Sequence, residues 1–171
     1  VYPDAKGKKN ECAPGDGGRL SSEDNDVSVA FMVQVPAGVR LVASTVNGEI
    51  EAGGIGADVK ATTVNGDVKV STSGLARATT VNGSIQASMG RADWSGTTHF
   101  NTVNGSITVK LPDNASTDVS ASTVNGSMNT DFPLTVQGKF SMKNMKGTIG
   151  DGGRELQMET VNGSIHLKSG G

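Results

Sequence analysis

The stretch VKATTVNGDVKV, Val59 to Val70, reads as two short β-strands that meet at a corner. Val59, Ala61 and Thr63 alternate with Lys60 and Thr62 before the corner. After it, Val68 and Val70 alternate with Asp67 and Lys69. Such alternation puts the apolar set on one face of a strand and the polar set on the other. The parity of the inward set changes across Val64-Asn65-Gly66. That change requires a bend or bulge, where glycine takes unusual backbone angles without steric cost.

This corner is repeated. Thr-Val-Asn-Gly begins at Thr45, Thr63, Thr80, Thr102, Thr123 and Thr160, at intervals of 18, 17, 22, 21 and 37 residues. The last interval has room for two units, and Asn144-Met145-Lys146-Gly147-Thr148-Ile149 aligns with T-V-N-G-S-I as a degenerate copy. Seven units are therefore expected. A unit this short cannot bury its own apolar face, so neighbours must stack to form a core. The structural corners are Asn47-Gly48, Asn65-Gly66, Asn82-Gly83, Asn104-Gly105, Asn125-Gly126 and Asn162-Gly163.

Asn-Gly between alternating segments is also a strong hairpin signal, so an antiparallel meander competes. Columns of like residues favour parallel coils. Four residues after each central Val or Met come Ile50, Val68, Ile85, Ile107, Met128, Ile149 and Ile165; three before come Ala43, Ala61, Ala78, Phe100, Ala121, Met142 and Met158. The expected fold is a single-domain, all-β parallel β-solenoid (a β-helix or roll) of about seven coils over residues 27–171. An irregular N-terminal arm or cap spans residues 1–26. Val27, Val29, Phe31, Val33 and Val35 alternate and are expected to form the first strand, ended by Pro36.

The bulk composition agrees. Of 171 residues, 35% are hydrophobic but only 4% aromatic, which suits a narrow core of Val, Ile, Ala and Thr. Frequent valine and a net charge of −2 argue against disorder. The same charge argues against a nucleic-acid binder, which shows a basic surplus. No apolar run approaches the roughly 18 residues of a membrane span; peripheral membrane association stays open. The sequence starts at Val1 without methionine, which leads one to expect further sequence upstream, a cleaved signal peptide being one cause and a longer precursor another. The single Cys12 cannot form an internal disulfide.

VQVPAGVRLVASTVNGEI, residues 33–50, followed by repeated T-V-N-G-[DS]-[IV], resembles a bacterial adhesin family of unknown function built from β-strand repeats. The resemblance covers about Asp26 to Lys168. It implies a secreted or cell-envelope β-solenoid, at the periplasmic or extracellular face, and supplies no catalytic residues. Lys146, in place of the corner Asn, departs from the pattern.

The Asn column reads as corner geometry, its amides bonding backbone or one another. Thr45, Thr63 and their equivalents share parity with Ala43 and Ala61 and so face inward, which speaks against an ice-binding threonine array. The Gly-Asp-Gly-Gly pieces around Asp16 and Asp151 read as turns, since a calcium site needs several converging oxygens. His99 and His166 fall in different coils, both at outward positions, and a zinc site needs three or four ligands. Glu49 and Glu51 read as a solvated edge. Asn-Gly-Ser sequences match glycosylation acceptors only formally. No catalytic, cofactor-binding or metal residues are assigned. Trp94 and Arg91, in the insert Met89–Gly96, are the candidate partner contact, with a lid packed on the flank weighed equally.

These readings point to a non-enzymatic interaction module whose partners are other proteins. The first expectation is a membrane-extrinsic scaffold subunit of a larger envelope complex, a photosynthetic or transport assembly for example. Glycine-rich segments such as the arm and Ser169-Gly170-Gly171 fray unless partners hold them. The alternative is a secreted or surface adhesin. A carbohydrate-active enzyme using the solenoid flank would need clustered Asp, Lys or Arg on one outward face, and the linear sequence displays no such cluster.

Overall fold

The computed structural model describes residues 11–12, 20–21, 29–91, 94, 96–136 and 143–170. The chain forms two compact units, Val1–Gln34 and Val35–Gly171. In the first, β1 (Glu11–Cys12) pairs antiparallel with β2 (Leu20–Ser21). The rest of the expected arm, including Asp16, lies outside the described residues, as does Val27. The expected first strand is corrected: residues 29–35 form no strand, and Val29, Phe31, Met32 and Val33 are exposed. Alternation gives a strand only where a neighbour takes up its hydrogen bonds and covers its apolar row.

The second unit carries the repeats. Its strands are β3 (Leu41–Ser44), β4 (Ile50–Ile55), β5 (Val59–Thr62), β6 (Val68–Thr72), β7 (Ala76–Thr79) and β8 (Ile85–Met89). They continue as β9 (Thr97–Asn101), β10 (Ile107–Pro112), β11 (Thr117–Asn125), β12 (Met128–Thr130) and β13 (Thr135–Val136). β14 (Asn144–Ile149), β15 (Glu155–Asn162) and β16 (Ile165–Gly170) complete the set. One sheet has six strands in the order β12-β16-β10-β8-β6-β4, all parallel. The other has eight, β13-β14-β11-β15-β9-β7-β5-β3, parallel except around β13 and β14. The two flanks of every Thr-Val-Asn-Gly corner go to different sheets, so they do not pair as a hairpin would. The stack is solenoid-like, each unit giving one strand to each sheet.

The inward columns meet in register. Ile50 pairs with Val68, then Ile85, Ile107, Ile165 and Met128 follow in turn. On the other sheet the row is Ala43, Ala61, Ala78, Phe100, Met158 and Ala121. The central members are fully buried. Such burial stabilises by roughly 25 cal/mol per Å² of apolar surface.

The corner threonines face inward, as parity requires. Thr63, Thr80, Thr102, Thr160 and Thr123 are buried. Each hydroxyl donates to the corner-glycine carbonyl one rung away: to Gly48 (3.1 Å), Gly66 (3.0 Å), Gly83 (2.8 Å), Gly105 (2.9 Å) and Gly163 (2.9 Å) respectively. This satisfies a polar group on each side that burial would otherwise leave unmet. Thr102→Val keeps the shape and removes the donor. It is expected to cost about 1–3 kcal/mol in a urea melt, because a part-buried carbonyl loses its partner. Thr79→Val, on the outer face, is expected to stay within about 0.5 kcal/mol.

Two sequence expectations are corrected here. Residues 144–149 are not a seventh coil: β14 runs antiparallel along β11, with Ile149 opposite Thr117 and Met145 opposite Ala121. Met145, Gly147 and Ile149 are all buried, so the inward parity never changes and no corner forms. Lys146 stands exposed at an outer position. Met142 lies outside the described residues. The second correction is the order. The last unit does not follow at the end; β15 sits between β9 and β11, and β16 between β10 and β12. The corners therefore stack as 47, 65, 82, 104, 162, 125.

Candidate functional site

Two features of the second unit face solvent in an organised way: the row of corners and a cavity on the outer face of the eight-stranded sheet.

At the corners, each asparagine Nδ2 donates to the Oδ1 of the next. The chain runs Asn125 to Asn162, Asn104, Asn82, Asn65 and Asn47, at 2.7–2.8 Å throughout. Each link uses one donor and one acceptor and leaves the amide's other hydrogen and lone pair for solvent or a partner. Beneath the ladder, the corner glycines touch backbone. A Cβ on Gly66, Gly83, Gly105, Gly163 or Gly126 would lie 1.9–2.2 Å from the glycine carbonyl oxygen of the adjacent rung. All twelve expected corner residues thus take a structural part, with Asn47 and Gly48 on the terminal rung.

Beside the amides runs a row the sequence reading did not place outward. Val46, Val64, Val81, Val103, Val161 and Val124 are each between 36% and 62% exposed. They stack because the corners stack, giving an apolar ridge about 24 Å long at a strand spacing of about 4.8 Å. The clue in sequence was the parity change itself, since a residue just past an inward threonine must point out.

The insert Met89–Gly96 folds back. Trp94 is only 9% exposed and packs with the core, and Arg154 Nε donates to its carbonyl at 3.0 Å. The expectation of an exposed tryptophan anchor is corrected to the lid that was weighed beside it. A large indole gains more by covering the sheet flank than by standing in water. Arg91 remains exposed. Both residues border a cavity of about 400 Å³, with Arg40, Asp58, Lys60, Gly74, Leu75 and Arg77 among its lining. The charged cluster that the linear sequence did not display is assembled here. Arg40 and Asp58 immediately precede β3 and β5, and Lys60 and Arg77 are the second residues of β5 and β7. Equal phase within the repeat was the available signal. Asp58 Oδ1 accepts the Leu75 N–H at 3.0 Å, and Arg77 Nη2 donates to the Thr97 carbonyl at 2.8 Å.

The remaining candidates stay apart. Glu49 pairs with Lys69 at 2.7 Å on the surface, raising the lysine pKa through that hydrogen bond and charge. His99 is exposed and His166 half-buried. Gly150–Gly153 forms a turn that Asp118 ties down by accepting from Gly153 N–H and Thr148 Oγ1, which lowers the Asp118 pKa. Among the described residues, no three of His, Cys, Asp and Glu come together as metal ligands would.

The family model described as Toastrack DUF4097 matches residues 16–168. The chain belongs to this family. No curated protein and no solved structure matches it. The Toastrack match spans both the corner ladder and the cavity-bearing face. Its description gives no activity.

Proposed function

We propose that this chain is a non-enzymatic protein-interaction module of the bacterial cell envelope. Its stack closes as a parallel β-solenoid and acts as a membrane-extrinsic scaffold subunit at the periplasmic or extracellular face. The observation that carries the reading is the valine ridge beside the asparagine ladder. A continuous apolar row on a repeated, rigid corner suits a partner surface. The adjacent amides offer hydrogen bonds at its rim. Sugar hydrolysis uses two facing carboxylates, whereas the described lining residues of the cavity bring one, Asp58, among cations.

The test is a triple change, Val64→Thr, Val81→Thr and Val103→Thr, which keeps β-branching and shape. Membranes from the native source are fractionated, and complexes holding the chain are identified by mass spectrometry. The wild type is expected to co-fractionate with a membrane complex. The variant is expected to be released, with its melting temperature within about 6 °C, since each of the three exposed substitutions stays within about 0.5 kcal/mol. Identical release of both overturns the scaffold reading. Recovery of the wild type on the outer cell surface, bound to no complex, favours the adhesin.

A further inference from the structure

We infer that the cavity bordered by Arg91 and Trp94 binds a small, multiply charged oxyanion, of the polycarboxylate or phosphate-ester class. Three independent features of the cavity lead there, and none depends on the scaffold reading.

The first is charge. Among the described lining residues, Arg40, Lys60 and Arg77 face a single carboxylate, Asp58, in a chain whose net charge is −2. Asp58 already accepts a backbone N–H. Lys60 and Arg77 are direct register partners on β5 and β7. Like charges side by side on neighbouring strands oppose pairing, and a bound anion relieves that repulsion.

The second is unmet donors. Among the described residues, three buried side-chain polar atoms have no hydrogen-bond partner: Trp94 Nε1, Arg77 Nε and Thr98 Oγ1. Two of the three belong to residues lining this one cavity, while Thr98 sits in the inward row of β9. Trp94 is more than nine-tenths buried. A buried polar atom without a partner calls for an explanation.

The third is the kind of atom offered. Indole and guanidinium nitrogens donate and never accept. A carboxylate or phosphate oxygen complements them with acceptors alone, whereas a hydroxyl would bring a donor of its own to be placed among them. Arginine adds planar, bidentate geometry for such oxygens. The volume of about 400 Å³ lies within the range of small-molecule sites.

Trp94 is the chain's single tryptophan, so its fluorescence reports on this cavity alone. The purified chain is titrated with pyrophosphate and, separately, with citrate, with sodium chloride holding ionic strength constant. A saturable change in emission is expected for at least one, with a Kd below about 1 mM. The probe that saturates at lower concentration assigns the ligand as phosphate or carboxylate. Lys60→Gln, at an exposed position, and Arg77→Gln are each expected to weaken binding about tenfold. Lys168→Gln, on β16 of the other sheet, is expected to leave it unchanged. The site is overturned if neither probe gives a saturable response, if sodium chloride alone reproduces the response, or if Lys60→Gln and Arg77→Gln both bind like the wild type.

Discussion

Gly105→Ala is expected to lower the melting temperature by about 6–20 °C. The added Cβ would lie 2.0 Å from the Gly83 carbonyl oxygen and 2.5 Å from its carbon. Those atoms are backbone, so no side-chain rotation relieves the overlap, and the rungs must separate. Separation strains the Thr102 hydroxyl bond to Gly83 and the amide bond between Asn104 and Asn82, at 2.8 Å each. The combined cost is about 3–5 kcal/mol, at the upper end for single substitutions, and about 2–4 °C per kcal/mol applies at this chain length. Gly53→Ala is the control, because a Cβ there meets nothing within 4 Å; it is expected within about 0.5 kcal/mol. Equal melting temperatures for the two variants would show that the rungs are not in backbone contact at the corner.

Ile107→Asp is expected to destabilise by about 3–5 kcal/mol in denaturant melts at neutral pH. Ile107 is fully buried, with Ile85 and Ile165 its register partners on either side. A carboxylate there has only apolar neighbours along its column, and protonating it merely exchanges a buried charge for a buried polar group. Ser106→Ala, one residue away, loses the bond its Oγ accepts from Ser164 N–H at 3.2 Å, and about 1 kcal/mol is expected. A mild Ile107→Asp would mean that this column does not face the core.

The features legible in the sequence were those fixed by phase within one repeat. Inward Ile107, inward Thr102 and the amide ladder all follow from local parity around Val-Asn-Gly, because a strand's side chains alternate whatever lies next to it. Rung order did not follow. Asn125-Gly126 and Asn162-Gly163 are the same corner, and nothing in four identical residues says which seats on Asn104. Column volume bears on it, since Phe100 lies against Met158 where Ala121 would leave space. That is a property of pairs, invisible until the pairs are known. The strand expected over residues 27–35 failed for the related reason that alternation specifies a face but no partner. The cavity needed both kinds of information. Arg40, Lys60 and Arg77 come together only once three repeats are aligned, and Trp94 reaches them through an insert that has no repeat phase.

A ribosome delivers these rungs in an order different from the one in which they rest. When β11 and β12 emerge, the edge they meet is β9 and β10, which in the finished protein belongs to β15 and β16. The Asn125 corner is chemically as good a match for Asn104 as its later occupant, so a compact, well-bonded intermediate with the wrong neighbour is available during synthesis. A chain that took this early pairing would reach the final arrangement only by strand exchange: the pairing would open, and the last-made segment would enter the gap and bond on both sides. Long-range pairing of this kind makes folding slow. It also leaves open sheet edges waiting, which is the condition under which β proteins join to one another.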